Sequence, residues 1–136
     1  MRLTLLVGEY SIVRLAATAT LPEWTQAAIA VNSEMDFACV ARTSDELSIV
    51  CTSLSVDEST AEKVEAGWRT FRVSGQLDFD QVGIVAGLSQ PLAAEGIPLF
   101  CVSTFDTDYI LVKERDLEHA QQVWTNAGHQ VDASLA

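Results

Sequence analysis

The chain has 136 residues, 49% of them apolar and 20% charged, with 19 acidic against 8 basic side chains and a formal net charge of −11. That length allows one ordinary domain or two very small ones, and the apolar content implies a packed core rather than disorder. So acidic a surface repels phosphate backbones and anionic lipid, which argues against nucleic acid and membrane surfaces as partners. It suits a cationic ligand or a basic partner, and solubility alone also accounts for it.

Met1 to Val7 carries one Arg and a short apolar run, so it reads as a first strand rather than a signal peptide. No stretch approaches the length of a membrane span. Gly8-Glu9 turns the chain, and Tyr10 to Leu15 alternates in strand fashion. Pro22-Glu23-Trp24 starts a short helix, with Pro22 placed where its missing N–H costs little. Phe37 to Arg42 and Leu47 to Thr52 are β-rich runs joined by the polar turn Thr43 to Glu46, a hairpin pattern. Val56 to Gly67 is charged and rich in small residues, and reads as a link between two halves. Cys39, Cys51 and Cys101 each sit inside an apolar run, and their number is odd. They read as reduced, buried thiols of a cytoplasmic protein. No CxxC or Cys/His spacing suggests a metal, and no cofactor motif is visible.

The second half is more regular. Trp68 to Ser74 alternates as a strand. Gly75 to Phe79 reads as a loop, and a helix is predicted from an Asp80 cap to about Glu95, closed by Gly96 and interrupted by Pro91. Pro98 to Ser103 and Tyr109 to Lys113 are strands around an Asp106-Thr107 turn. Asp116 is predicted to cap a second helix whose apolar face is Leu117, Ala120, Val123, Trp124 and Ala127. Gly128 ends it, and His129 to Val131 forms a last short strand. The order β-α-β-β-α-β is the split βαβ arrangement: a four-stranded antiparallel sheet with both helices on one face. The first half overlays the second in outline, its helices shortened.

Phe79 to Ala86 resembles the loop-to-helix signature of ACT domains. Pro91 to Pro98 and Ser103 to Val112 are similar to a tandem-ACT family of small bacterial proteins, whose modules the cytosolic arginine sensors also carry. The resemblance covers the second half well and the first half loosely. It implies an α+β fold of two ferredoxin-like ACT modules with antiparallel sheets, spanning 1–62 and 63–136, the first with reduced helices. It further implies a homodimer that binds a small amino acid or similar metabolite at an interface between modules or subunits.

Helix N-termini hold carboxylates, so Val82, Gly83 and Ile84 are candidate main-chain contacts. Gly83 serves equally well to let helix and strand pack closely. Asp80 is either the N-cap or a ligand contact. Gln81 stands where an arginine-sensor relative carries an acidic residue, and an amide holds a cation less firmly than a carboxylate. By the same resemblance Thr104, Phe105 and Asp108 match ligand-contacting positions, with Ser103 beside them on the strand. Asp106 reads as a turn residue.

No nucleophile–base constellation, P-loop or GxGxxG appears, and His119 and His129 read as solvated, so no enzymatic activity is expected. The alternative to a ligand-binding regulator is a ligand-free dimerisation or interaction module acting on a partner protein.

Overall fold

The computed structural model describes residues 1–30, 36–74 and 82–132. In chain order the elements are β1 (Arg2–Leu5), β2 (Tyr10–Leu15), α1 (Trp24–Ile29), β3 (Cys39–Arg42), β4 (Leu47–Thr52), β5 (Lys63–Val73), α2 (Ile84–Ala94), β6 (Phe100–Ser103), β7 (Asp108–Lys113), α3 (Leu117–Asn126) and β8 (Gln130–Asp132). Short 3₁₀ turns occupy Ser53–Ser55, Glu58–Thr60 and Glu114–Asp116. The chain divides into two compact units, Gly8–Trp68 and Met1–Val7 with Arg69–Ala136. This partition places the first seven residues with the C-terminal unit, whereas a division into 1–62 and 63–136 would place them with the first.

In the unit Gly8–Trp68, β2 pairs antiparallel with β4 from Tyr10↔Thr52 to Leu15↔Leu47. The edge strand β3 lies on the far side of β4, and the first part of β5 lies on the far side of β2. The order β3-β4-β2-β5, with α1 between β2 and β3, follows the split βαβ pattern. Two 3₁₀ turns stand where its second helix would be. Val13, Leu15, Leu47, Ile49 and Cys51 form the core, with Trp24 and Ala28 of α1 packed against it. The stretch expected to be a link, Val56 to Gly67, instead contains a 3₁₀ turn and the first five residues of β5. Charge pattern concealed this strand, because its early residues are exposed and its pairing partner, β2, is some fifty residues away in sequence.

In the other unit the sheet order is β6-β7-β5-β1-β8. The four strands and two helices predicted from the second half are present, but the sheet is not four-stranded and wholly antiparallel. β1 enters between β5 and β8, antiparallel to the first and parallel to the second. Leu3 and Leu5 thereby join Phe71, Val73, Ile110 and Val112 in one core covered by Leu88 and Leu92 of α2 and by Ala120 and Trp124 of α3. Phe71 and Trp124 meet edge to face, ring centroids 4.9 Å apart, a geometry aromatic quadrupoles favour.

Helix α2 begins at Ile84, not at Asp80, because Gly83 takes a left-handed backbone (φ 77°) that a helix interior does not accommodate. Its C-terminus closes as expected on Gly96, with Gly96 N–H bonded to Ala93 O and Ile97 N–H to Leu92 O. Pro91 lies within the helix and removes the N–H that would serve Gly87 O. Two side chains from the C-terminal part of the unit reach this region: Trp124 Nε1 donates to Leu88 O at 2.8 Å, and His129 Nε2 lies 3.2 Å from Gly87 O. A carbonyl only accepts, so this contact is a hydrogen bond from the tautomer with its proton on Nε2, and the Met1 amino group stands 2.9 Å from Nδ1 on the other side of the ring. Asp116 does precede α3, but its carboxylate makes no capping hydrogen bond; it lies 3.8 Å from Arg115 Nε instead.

Candidate functional site

The hairpin between β6 and β7 positions most of the predicted side chains. Ser103 pairs with Asp108 in register, and Cys101 with Ile110 two residues back along the strand. Alternation therefore puts Cys101, Ser103, Asp108 and Ile110 on one face of the sheet, the face that α2 and α3 cover. Ser103 Oγ donates to Asp108 Oδ1 at 2.6 Å, a charge-assisted bond. Asp108 is only 8% exposed although Ser103 beside it is open to solvent. The charge is felt locally: burial first, and Asp108 second, push the Cys101 thiol above its ordinary range, while a hydrogen bond with Ser103 opposes them. Cys101 is thus part of the cluster, which sequence reasoning missed. Its spacing of two from Ser103 on a strand was the available signal.

The bend itself is self-satisfied. Thr104 N–H donates to Thr107 O at 2.8 Å, Thr104 Oγ1 donates to the same oxygen at 3.0 Å, and Thr107 N–H returns a bond to Thr104 Oγ1 at 3.3 Å. Thr104 is accordingly committed to holding the turn. Thr107, 8% exposed, ties the bend to the exit of β5 by donating from Oγ1 to Val73 O at 2.6 Å. Phe105 projects at the apex, 73% exposed.

β5 exits beside this bend, at Val73, and α2 is the next described element of the chain. Val82 is 90% exposed, and Gly83 is the N-cap residue without a side-chain oxygen to offer. The first i→i−4 hydrogen bond of the helix is Gly87 N–H to Gly83 O, 2.8 Å, so the amides of Ile84, Val85 and Ala86 precede the helical ladder. Ser103, Thr104, Phe105 and Asp108 thus lie together at the β6-β7 bend, and Val82, Gly83 and Ile84 lie at the start of α2 in the same unit. Asp80 and Gln81 lie outside the described residues, as does the Gly75 to Phe79 loop.

Among the described residues no group of three or more His, Cys, Asp or Glu is placed to hold a metal ion. An open groove of about 520 Å³ in the other unit is lined by Pro22, Glu23, Trp24, Asp57 and Thr60. Its indole is held by a 2.9 Å bond from Trp24 Nε1 to Thr60 Oγ1, and the Asp57 carboxylate is engaged by the Ser59 amide and hydroxyl.

Comparison with known proteins follows this division. The ACT-domain family model matches residues 63–124, and a different model, that of an N-terminal domain, matches residues 8–59. The first half is therefore a distinct N-terminal domain rather than a second ACT module. The chain is similar to the cytosolic arginine sensor for mTORC1 subunit 1. It is 47% identical to the Mus musculus protein over 51 residues and 50% identical to the Homo sapiens protein over 48. These alignments span 37% and 35% of this chain but 15% of each sensor. The crystal structure of Agobacterium tumefaciens protein Atu0741 is 38% identical, with a TM-score of 0.85, covering 99% of this chain and 94% of that one. The ligand-free regulatory subunit of aspartate kinase from Thermus thermophilus shares the fold: 8% identity, TM-score 0.60, 92% of this chain and 96% of that one.

Proposed function

This chain belongs to the same family as Agobacterium tumefaciens Atu0741 and carries an ACT domain over residues 63–124; from that premise we propose that it is a regulatory protein that binds a small amino acid where its ACT module meets a second copy of the chain. The observation that carries this reading is the Ser103–Asp108 pair, a carboxylate 8% exposed at the β6-β7 bend. A buried carboxylate is costly unless a cation or strong donors accompany it. A helix N-terminus favours the opposite charge. Together they match the two ends of an amino-acid zwitterion, the ammonium at Asp108 and the α-carboxylate at the Val82–Ile84 amides. The arginine sensors named above support an amino acid as the ligand class.

The three free cysteines fit a reducing cytoplasm. No helix among the described residues is long and apolar enough to cross a membrane.

The test is a thermal-shift screen of the full chain against the twenty amino acids, followed by calorimetry on any that respond. A ligand at a hundred times its Kd stabilises by about 2.7 kcal/mol, which a melting curve resolves. Asp108→Asn is expected to abolish the response while the protein stays folded. If no amino acid shifts the folded dimer, the reading fails and the ligand-free interaction module takes its place.

A further inference from the structure

The open groove of the unit Gly8–Trp68, about 520 Å³, has no part in the proposed amino-acid site. One wall is the entry to α1, Pro22, Glu23 and Trp24, and the other is the turn that holds Asp57 and Thr60. The walls are fixed to each other without any ligand. Trp24 Nε1 and Thr60 Oγ1, 36 residues apart in sequence, are joined at 2.9 Å, and Thr60 Oγ1 in turn donates to Asp57 O at 2.8 Å. Trp24 is half-buried, resting on the core of Val13, Leu15 and Leu47, so its ring is held in place. The amides of Thr25 and Gln26 are closed onto Pro22 O and Glu23 O at 3.0 and 3.2 Å, which leaves them nothing to offer an anion. Glu23 is exposed and makes no capping hydrogen bond. Asp57 takes both of its bonds from Ser59 at Oδ1, which leaves Oδ2 to an incoming donor. Those bonds also hold its carboxyl below the usual range, so it stays charged at neutral pH.

We propose that this groove is a second ligand site, for a linear aliphatic amine with two or more ammonium groups, its methylenes lying against Trp24 and Pro22 and its ammonium ends at Glu23 and Asp57. The lining selects that chemistry. An indole face attracts a cation, and a carboxylate pairs with an ammonium through short charge-assisted bonds. Glu23 and Asp57 stand on separate segments of chain with two apolar rings sharing the lining, which matches charges separated by methylenes rather than one compact charge. A hard metal ion wants six or more oxygens, and among the described residues no group of three His, Cys, Asp or Glu is placed to hold one. The volume is that of a small-molecule site. The net charge of −11 draws polycations towards the chain, and because that field acts everywhere, the test separates the groove from the rest of the surface.

Spermidine is titrated into the full chain at physiological ionic strength, followed by tryptophan fluorescence and by calorimetry. One saturable site is expected, with a fluorescence change that comes from Trp24, since Trp124 is fully buried and Trp68 nearly so. Trp24→Phe removes that change. Glu23→Gln and Asp57→Asn each weaken binding about fivefold, the scale of an exposed ion pair, and the two together roughly twentyfold. Butylamine, with one ammonium, binds at least about fivefold more weakly than spermidine. Glu118→Gln, on the exposed side of α3 in the other unit, is the control and leaves the affinity unchanged. Circular dichroism checks that each variant is folded; should Asp57→Asn disturb its turn, Glu23→Gln decides alone. Binding that never saturates, a fluorescence change that survives Trp24→Phe, or a Glu23→Gln chain that binds like the wild type each overturns the proposal. An equal loss in Glu118→Gln overturns it in favour of the diffuse acidic surface, and tetralysine binding more tightly than spermidine overturns it in favour of a basic peptide. Each of these outcomes is independent of whether any amino acid binds at the ACT module.

Discussion

Replacing Pro91 by Ala is expected to stabilise the protein, and to make the contact from His129 to Gly87 O redundant. In a helix interior Pro is about 3 kcal/mol less favourable than Ala, through the lost N–H and the clash with the carbonyl four residues back. Against that, Pro restricts the unfolded chain, and losing the restriction costs about 0.4–1 kcal/mol. The balance is a gain of about 2 kcal/mol. The structure adds a second expectation, because the carbonyl left without its helical donor is that of Gly87, and His129 Nε2 lies 3.2 Å from it. In the native background His129→Ala removes that donor and costs about 0.5–1.5 kcal/mol, the net value of one such bond. In the Pro91→Ala background the new amide at position 91 serves Gly87 O, and His129→Ala costs less, losing only its 2.9 Å contact with the Met1 amino group. Urea unfolding of the wild type, both single variants and the double variant closes the cycle, with an expected coupling of about 1 kcal/mol. Additivity within about 0.3–0.5 kcal/mol, the spread typical of independent sites, or a destabilising Pro91→Ala, would refute the account.

Thr107→Val keeps the shape of the side chain but removes the donor to Val73 O, leaving a buried carbonyl short of its 2.6 Å partner; a loss of about 1–3 kcal/mol is expected in denaturant titration, with Thr107→Ser restoring most of it. Burial pushes the Cys51 thiol up to about 11 from 9.0. Its folded pKa is raised, so this contribution to stability is complete below pH 9 and is lost as pH climbs through about 11. Alkylation of the native chain near pH 8, followed by intact mass, is expected to leave Cys51 unmodified while the denatured chain takes label at all three cysteines. Asp57 is held below its usual range by its hydrogen bonds from the Ser59 hydroxyl and amide. A lowered carboxylate stabilises above its unfolded pKa and ceases to as pH falls through the folded one, so Asp57→Asn is expected to flatten the acid limb of the melting profile below about pH 4.

Much of the C-terminal unit was legible because its signals are local. The order from Trp68 onward, the Gly96 and Gly128 helix ends, and the apolar face of α3 through Ala120 and Trp124 all follow from side-chain period and turn chemistry. The hairpin that brings Ser103 opposite Asp108 is of the same kind, since the pairing is set by a four-residue bend.

What the sequence determined by itself, then, is the set of pieces whose geometry is decided within a turn or two of chain. Tertiary structure alone decided where β1 goes, because nothing in Arg2–Leu5 says that it will slide between β5 and β8. It decided that a division of compact units falls at Trp68, inside a strand. It also decided that Gly87 and Leu88 would find donors on His129 and Trp124. The reason is the same in each case. Strand pairing and carbonyl satisfaction are settled by whichever partner the packed chain brings within about 3 Å, and that partner stands thirty or more residues away, beyond the reach of any local pattern.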